Sequence, residues 1–133
     1  MKFRIDYSYI EKMLREYYEE QYVMDGLLLK LFVKEVPDGA HGWFEGDTHF
    51  EMSALIIRNR KIKVGIKGQR FIVPAQDNEV IKEKEIIDII RPIFDESLKD
   101  QNLKVDYFIL EESGVDVYLK EIEKKMLLKR KQN

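Results

Sequence analysis

Hydrophobic residues follow two different periods along the chain, and each period predicts one kind of element. Between residues 9 and 22, apolar side chains recur every three or four positions, as they do on one face of an amphipathic helix. Ser8 and Glu11 fit a capping box at the start of this helix, and Asp25 with Gly26 fits its end. The first predicted element is therefore a helix.

Alternation of apolar and polar residues predicts strands in the next part of the chain. The segments that alternate are Leu27–Val36, Thr48–Arg58, Ile62–Ile66 and Arg70–Val73. Asn59 and Arg60 are predicted to form a tight turn, and Pro74 is predicted to end the fourth strand because it cannot donate a ladder hydrogen bond. The glycine-containing segment 37–47 is predicted to be a long connection.

In the second half of the chain, the residue pattern predicts a helix, a strand and a last segment that fits either a helix or a strand. The helix is expected to start at Asp77 or Asn78, to reach Leu98 and to kink or divide at Pro92, and a strand is expected over 103–110. The last segment fits a helix with its apolar stripe on Val115, Tyr118, Leu119, Ile122 and Met126, which we favour. It also fits a strand on Val115, Val117 and Leu119, entered by a turn at Ser113 and Gly114. Residues 129–133 are expected to form a frayed basic tail.

These elements predict an α+β fold with the order α-β-β-β-β-α-β-α. We expect an antiparallel or mixed sheet, including the strand at 103–110, with helices mainly on one face. The 133 residues, 44% of them hydrophobic, match one domain spanning 1–133 with a single core. No internal repeat is visible.

Composition excludes several classes of protein. The chain has no cysteine, so disulfides, thiolate catalysis and thiolate-bound metals are ruled out. Asp6 lies where a signal peptide needs an apolar run, and no segment approaches the roughly 20 apolar residues of a membrane span. We therefore expect a cytoplasmic protein that does not bind membranes.

Charge is distributed unevenly along the chain. The segment from Arg58 to Arg70 carries six cations and no acid in a chain of net charge −2. We expect Ile62, Val64 and Ile66 to turn inward, which leaves the cations on a fixed basic face of the sheet. The predicted binding residues on this face are the cations Arg58, Arg60, Lys61, Lys63, Lys67 and Arg70, together with the apolar groups Phe32, Leu55 and Ile57.

Rare residues collect in the predicted loop between Asp38 and Glu51. Trp43 and Phe44 are expected to act as aromatic anchors for a partner or to cover the edge of the sheet. The candidate metal ligands in the same loop are His41, Glu45, Asp47 and His49. Their spacing matches no metal signature, so we predict neither a metal nor a cofactor.

The sequence contains no motif that marks a catalytic residue, and it favours a non-enzymatic role. The leading interpretation is a protein-binding module of the inhibitor, immunity or adaptor type, which binds an acidic protein partner through the basic face. The alternative is a nucleic-acid-binding domain that uses the basic hairpin of residues 58–70. A metal-dependent enzyme built on the loop 38–51 is a third interpretation. Oligomeric state does not follow from the sequence.

Overall fold

Two antiparallel sheets and two helices make up the part of the protein that the computed structural model describes, which is residues 1–20, 27–38 and 47–122. The strands are β1 (Lys2–Ile5), β2 (Leu27–Pro37), β3 (Thr48–Val64), β4 (Arg70–Lys82), β5 (Leu103–Leu110) and β6 (Val115–Glu121). Helix α1 (Tyr7–Glu19) follows β1, and helix α2 (Glu83–Leu98) follows β4. A short 3₁₀ turn at Lys99–Gln101 leads from α2 into β5.

The two sheets are related by a pseudo-twofold symmetry of topology. One sheet has the strand order β1-β6-β5 and the other has the order β4-β3-β2. The first half of the chain (β1, α1, β2, β3) and the second half (β4, α2, β5, β6) both run strand, helix, strand, strand. Exchanging the halves maps one sheet onto the other. The repeat lies in topology and leaves no sequence signal, because different residues satisfy the same apolar periods in each half.

The core lies between the inner faces of the sheets and the apolar stripes of the helices. Its fully buried side chains are Ile10 and Leu14 of α1, Ile86 and Ile90 of α2, Met52 and Ile56 of β3, Ile81 of β4, Val105 of β5, and Val115 and Val117 of β6. No charged or polar residue is buried among the described residues. Hydrophobic burial therefore dominates the stability of the fold.

Each helix closes the outer edge of one strand with an acid and an arginine four residues apart. On α1, Arg15 donates to the carbonyl oxygen of Leu29 (3.3 Å), and Glu11 accepts from the N–H of Leu31 (2.9 Å). On α2, Arg91 and Asp95 make the equivalent bonds to β5, as described below. These side chains satisfy backbone groups that an edge strand would otherwise leave open.

The predicted class is confirmed, and the last element is corrected. The chain is a single α+β domain in which a helix, a run of strands, a second helix and a strand follow in the predicted order. The favoured last helix was wrong, because Val115–Glu121 is strand β6. β6 lies between β1 and β5, and β1 was not predicted. The strand at 103–110 belongs to this second sheet and not to the sheet of β2, β3 and β4.

The boundaries around β3 and β4 also differ from the prediction. Asn59 and Arg60 do not turn the chain, since both lie within β3. Pro74 does not end β4, which continues to Lys82, so that α2 begins at Glu83 instead of near residue 77. Pro74 pairs with Arg60 at a position whose backbone groups face away from β3, so its missing N–H costs no ladder bond.

The remaining predictions concern the caps of the helices, Pro92 and the end of the chain. The residue that caps α1 is Asp6 and not Ser8, and the side chain of Asp6 makes no capping hydrogen bond. Pro92 lies inside α2 without dividing it. The predicted stop at residues 25–26 and the basic tail at 129–133 lie outside the described residues.

Candidate binding surfaces

The outer halves of β3 and β4 form a two-stranded ribbon that extends beyond the core, and we call residues 59–76 the distal ribbon. It begins at an irregularity in the pairing. β3 advances two residues from Arg58 to Arg60, while β4 takes three residues from Pro74 to Asp77. At about 3.3 Å per residue, the part of β3 from Asn59 to Val64 spans roughly 17 Å.

A three-residue turn ends the distal ribbon. The N–H of Gly65 donates to the carbonyl oxygen of Gln69 (2.8 Å), and the N–H of Gly68 donates to that of Gly65 (3.0 Å). Gly68 has a φ of +80°, a left-handed conformation that glycine adopts without steric cost. The turn places Ile66 and Lys67 at the tip.

Apolar side chains on the distal ribbon face solvent. Val64, Phe71 and Ile72 are 66%, 51% and 61% exposed, and Ile66 is fully exposed. The prediction that Val64 and Ile66 turn inward was therefore wrong. Their alternation continues that of Ile56, which is fully buried, but no described element of the core underlies the ribbon at this distance. The side chain of Ile62 lies outside the description.

The distal ribbon carries five cations and no acid. Lys63, Lys67 and Arg70 are exposed, and none of them forms an ion pair within the described part of the chain. Lys63 pairs across the ribbon with Phe71, and Arg70 pairs with Val64. Lys61 and Arg60 pair with Val73 and Pro74, although the side chain of Lys61 is not described. Cations therefore alternate with apolar groups along the ribbon.

Arg58, the first cation of the predicted basic face, does not belong to the distal ribbon. Its guanidinium group donates to the Oε2 atom of Glu79 at 2.6 Å, and only 15% of its side chain is exposed. Arg58 is therefore a structural residue that links β3 to β4. The candidate cations on the distal ribbon are those that follow Arg58 in the sequence.

The predicted apolar binding residues lie on a second surface, which we call the outer face. This face of the β2-β3-β4 sheet points away from the helices. Phe32, Leu55 and Ile57 lie on it, as do Leu28, Lys30 and Val80, and cross-strand pairs join Leu28 to Ile57, Lys30 to Leu55 and Leu55 to Val80. A shallow groove of about 410 Å³ runs along Leu28, Lys30, Leu55 and Ile57 beside α1. The predicted single basic face is thus two surfaces.

The candidate metal ligand His49 lies between two carboxylates. Its Nε2 atom is 2.9 Å from Oε1 of Glu51, and its Nδ1 atom contacts Asp38. Hydrogen bonds to Glu51 and Asp38 raise the pKa of His49 above its usual value, because they stabilise the charged imidazolium. Both ring nitrogens of His49 thus contact carboxylates of the same protein. Among the described residues no cluster has the arrangement of a metal site.

Of the other candidate residues in the predicted loop, the structure describes only Asp47. Asp47 is exposed, and its carbonyl oxygen accepts the N–H of Asp38 (2.9 Å), which closes the loop at its base. His41, Trp43, Phe44 and Glu45 lie outside the described residues. The residues that sequence analysis missed are Val64 and Ile66 as exposed groups, since alternation alone does not reveal where the core ends.

Comparison with known proteins does not add a relationship. No protein-family model, no curated protein and no solved structure matches the chain. Neither α1 nor α2, the helices that the structure describes, is long and apolar enough to cross a membrane.

Proposed function

We propose that the protein binds duplex DNA through the distal ribbon. The observation that carries this proposal is the position of the charge. A narrow two-stranded ribbon with five cations and no acid extends from a body whose remaining residues carry a net charge of −7, given the chain total of −2.

The shape of the ribbon suits a groove of DNA. Two paired strands are about 4.8 Å apart, and with their side chains they fit the major groove, which is about 12 Å wide and admits a two-stranded ribbon. Cross-strand pairs such as Lys63 with Phe71 and Val64 with Arg70 give each face of the ribbon both a cation and an apolar group. The cations are suited to phosphates, and the apolar groups are suited to thymine methyl groups and base edges.

The net negative charge of the chain does not prevent DNA binding at the ribbon tip, because the tip is far from the acidic body. Charges in water are screened over about 8 Å at physiological ionic strength. Lys67 lies in the turn beyond the end of β3, and the strand part of the ribbon alone spans roughly 17 Å. A phosphate at the tip therefore experiences the ribbon's positive charge with little repulsion from the acidic body.

The separation of the two surfaces favours DNA over the acidic protein partner that the sequence pattern suggested. That interpretation combined the ribbon cations with Phe32, Leu55 and Ile57 in one interface. These apolar residues lie on the outer face, over the body of the protein, whereas Lys63, Lys67 and Arg70 lie on the distal ribbon. A regular row of phosphates matches the ribbon without needing the outer face.

Fluorescence anisotropy with a labelled 20-base-pair duplex tests the proposal. The ribbon variant changes Lys63, Lys67 and Arg70 to Gln. The matched control changes three exposed lysines of the body to Gln, and so removes the same net charge; its sites are Lys12, Lys84 and Lys99. Circular dichroism verifies that both variants are folded.

Binding by the wild type and the control, with at least tenfold weaker binding by the ribbon variant, is the expected result. Equal loss in both variants would mean that net charge alone drives binding and would refute a ribbon site. Failure of the wild type to bind DNA at low salt would refute the proposed function. Capture of an acidic protein by the ribbon in the absence of DNA binding would restore the protein-partner interpretation.

A further inference from the structure

We infer that the outer edge of β4 binds the same edge of a second copy of this chain, so that two β2-β3-β4 sheets join into one six-stranded antiparallel sheet. This inference does not depend on what the distal ribbon binds. It rests on which backbone groups are open, which other edges are closed, and how β4 matches itself.

Hydrogen bonds made by the helices identify the backbone groups of β4 that face outward. Leu29 and Leu31 of β2 bond to side chains of α1, so their backbone groups face away from β3. In an antiparallel sheet the direction alternates at every residue. Odd residues of β3 therefore bond to β2, and even residues such as Ala54 and Ile56 bond to β4.

The same alternation continues across the next ladder. Ala54 pairs with Ile81 and Ile56 pairs with Glu79, which places the backbone groups of Ile81 and Glu79 toward β3. The N–H and C=O groups of Asn78, Val80 and Lys82 then face outward. Glu83 accepts the N–H of Met52 (3.2 Å), which confirms that even residues of β3 face this side. Within the described residues, nothing bonds to the three outward positions.

The other sheet edges are closed or short. Glu11 and Arg15 occupy the edge of β2. At β5, Arg91 donates to the carbonyl oxygens of Val105 (3.2 Å) and Asp106 (3.1 Å), and Asp95 accepts the N–H of Val105 (2.7 Å). β1 has only four residues.

The outward positions of β1 are also charged. Lys2 and Arg4 alternate with the residues of β1 that hydrogen-bond to β6, so the backbone groups of Lys2 and Arg4 face outward. Both side chains form ion pairs with Asp116 of β6. Short edges that carry cations resist pairing with another strand. By elimination, the edge of the described fold that is available for a new strand is residues 78–82, which we call the inner half of β4.

The sequence of this edge is complementary to itself. A twofold axis through Val80 places Val80 opposite Val80 of the second copy, Asn78 opposite Lys82, and Glu79 opposite Ile81. Asn78, Val80 and Lys82 are the residues whose backbone groups face outward, so the pair at the axis and the two symmetry-related pairs of Asn78 with Lys82 are hydrogen-bonded, whereas Glu79 and Ile81 form non-hydrogen-bonded pairs. No like charges oppose one another, and β-branched residues meet at the centre.

The pairing also extends an apolar row on the outer face. Leu55 pairs with Val80 in one chain, and Val80 is 63% exposed. In the joined sheet the row becomes Leu55, Val80, Val80 and Leu55 across four strands, which removes part of the apolar surface of both valines from water. α2 begins at Glu83 and limits the pairing to the inner half of β4. The two distal ribbons then extend from one twofold dimer.

Three substitutions at one position test this interface by sedimentation equilibrium. Val80→Pro removes only an outward N–H and leaves the ladder with β3 intact. Val80→Lys places two ammonium groups directly opposite each other at the axis. Val80→Thr keeps a β-branched side chain and serves as the matched control. Circular dichroism and urea unfolding verify that each variant is folded.

At about 100 μM, which is well above the micromolar Kd of a modest interface, we expect dimers of the wild type and Val80→Thr and monomers of Val80→Lys and Val80→Pro. A monomeric wild type would refute the inference. Dimers of Val80→Lys would refute it as well, because they would place the interface elsewhere. If Val80→Pro is unfolded, Val80→Lys decides the outcome, since only its exposed side chain changes.

Discussion

Salt dependence gives the sharpest quantitative test of the distal ribbon. Each phosphate that a protein neutralises contributes about −0.9 to the slope of log K against log salt for B-form DNA. Lys63, Lys67 and Arg70 are exposed and lack an ion pair among the described residues, so at least three contacts are available. The expected slope is then about −2.7 or steeper.

This slope corresponds to a large change over an accessible range. Between about 50 and 200 mM salt, a slope of about −2.7 weakens binding by roughly 40-fold. Lys67→Gln alone should reduce the magnitude of the slope by about 0.9, and Lys12→Gln in the body should leave it unchanged. The assay is anisotropy titration of one duplex at four or more salt concentrations.

The result that refutes the reasoning is specific. A wild-type slope near zero would show that phosphates are not neutralised. Equal reductions by Lys67→Gln and Lys12→Gln would show that the contacts are not confined to the distal ribbon. Either outcome would contradict the assignment even if some binding to DNA were observed.

Three further predictions concern the fold and its charges. Ile56→Ala should destabilise the protein by roughly 2–5 kcal/mol, because this side chain is fully buried, whereas Ile66→Ala at the ribbon tip should change the urea midpoint very little. Equal losses would contradict the placement of the ribbon outside the core. Gly114→Ala should cost about 1–3 kcal/mol, since its new Cβ would approach the carbonyl oxygen of Ile5 to 2.7 Å; an unchanged midpoint would refute that close packing. The imidazole of His49 should titrate above its usual pKa in NMR spectra, so its contribution to stability is present below pH 6.5 and is lost as the pH rises through the raised pKa; titration at or below the usual value would contradict its carboxylate contacts.

Local patterns predicted the elements that make contact with the core. The alternation at Leu27–Val36 and the helical stripe that contains Ile86, Ile90 and Phe94 correspond to β2 and α2, because burial imposes those periods directly. β6 was mistaken for a helix because its central place in a sheet depends on β1. That strand has only four residues and is far away in sequence, so no local pattern reveals the pairing.

The sequence predicted which cations make up the candidate site, but it did not predict where they lie in the fold. The run of cations between residues 58 and 70 is visible in the sequence. Whether Val64 faces a core depends on how far the helices extend beneath the sheet, which is a property of the assembled fold. The ion pair of Arg58 with Glu79 also connects residues far apart in sequence, so it became visible only in the structure.

The pseudo-twofold topology explains why the described part of the fold leaves one long edge open. α1 closes the edge of β2, and α2 closes the equivalent edge of β5, with the same combination of an acid and an arginine. The remaining equivalent pair of edges belongs to β1 and β4. β1 is short and charged, whereas β4 is long, and its inner half matches itself in register.

NMR mapping of a DNA titration tests the central claim most directly. A duplex is added to isotope-labelled protein at low salt, and the shift of each backbone amide is followed. The account predicts that the largest shifts fall within the distal ribbon, residues 59–76, with Lys67 and Phe71 among them, and that the outer face around Phe32 and the region of His49 change little. Shifts confined to the body, or no shifts at all, would contradict it.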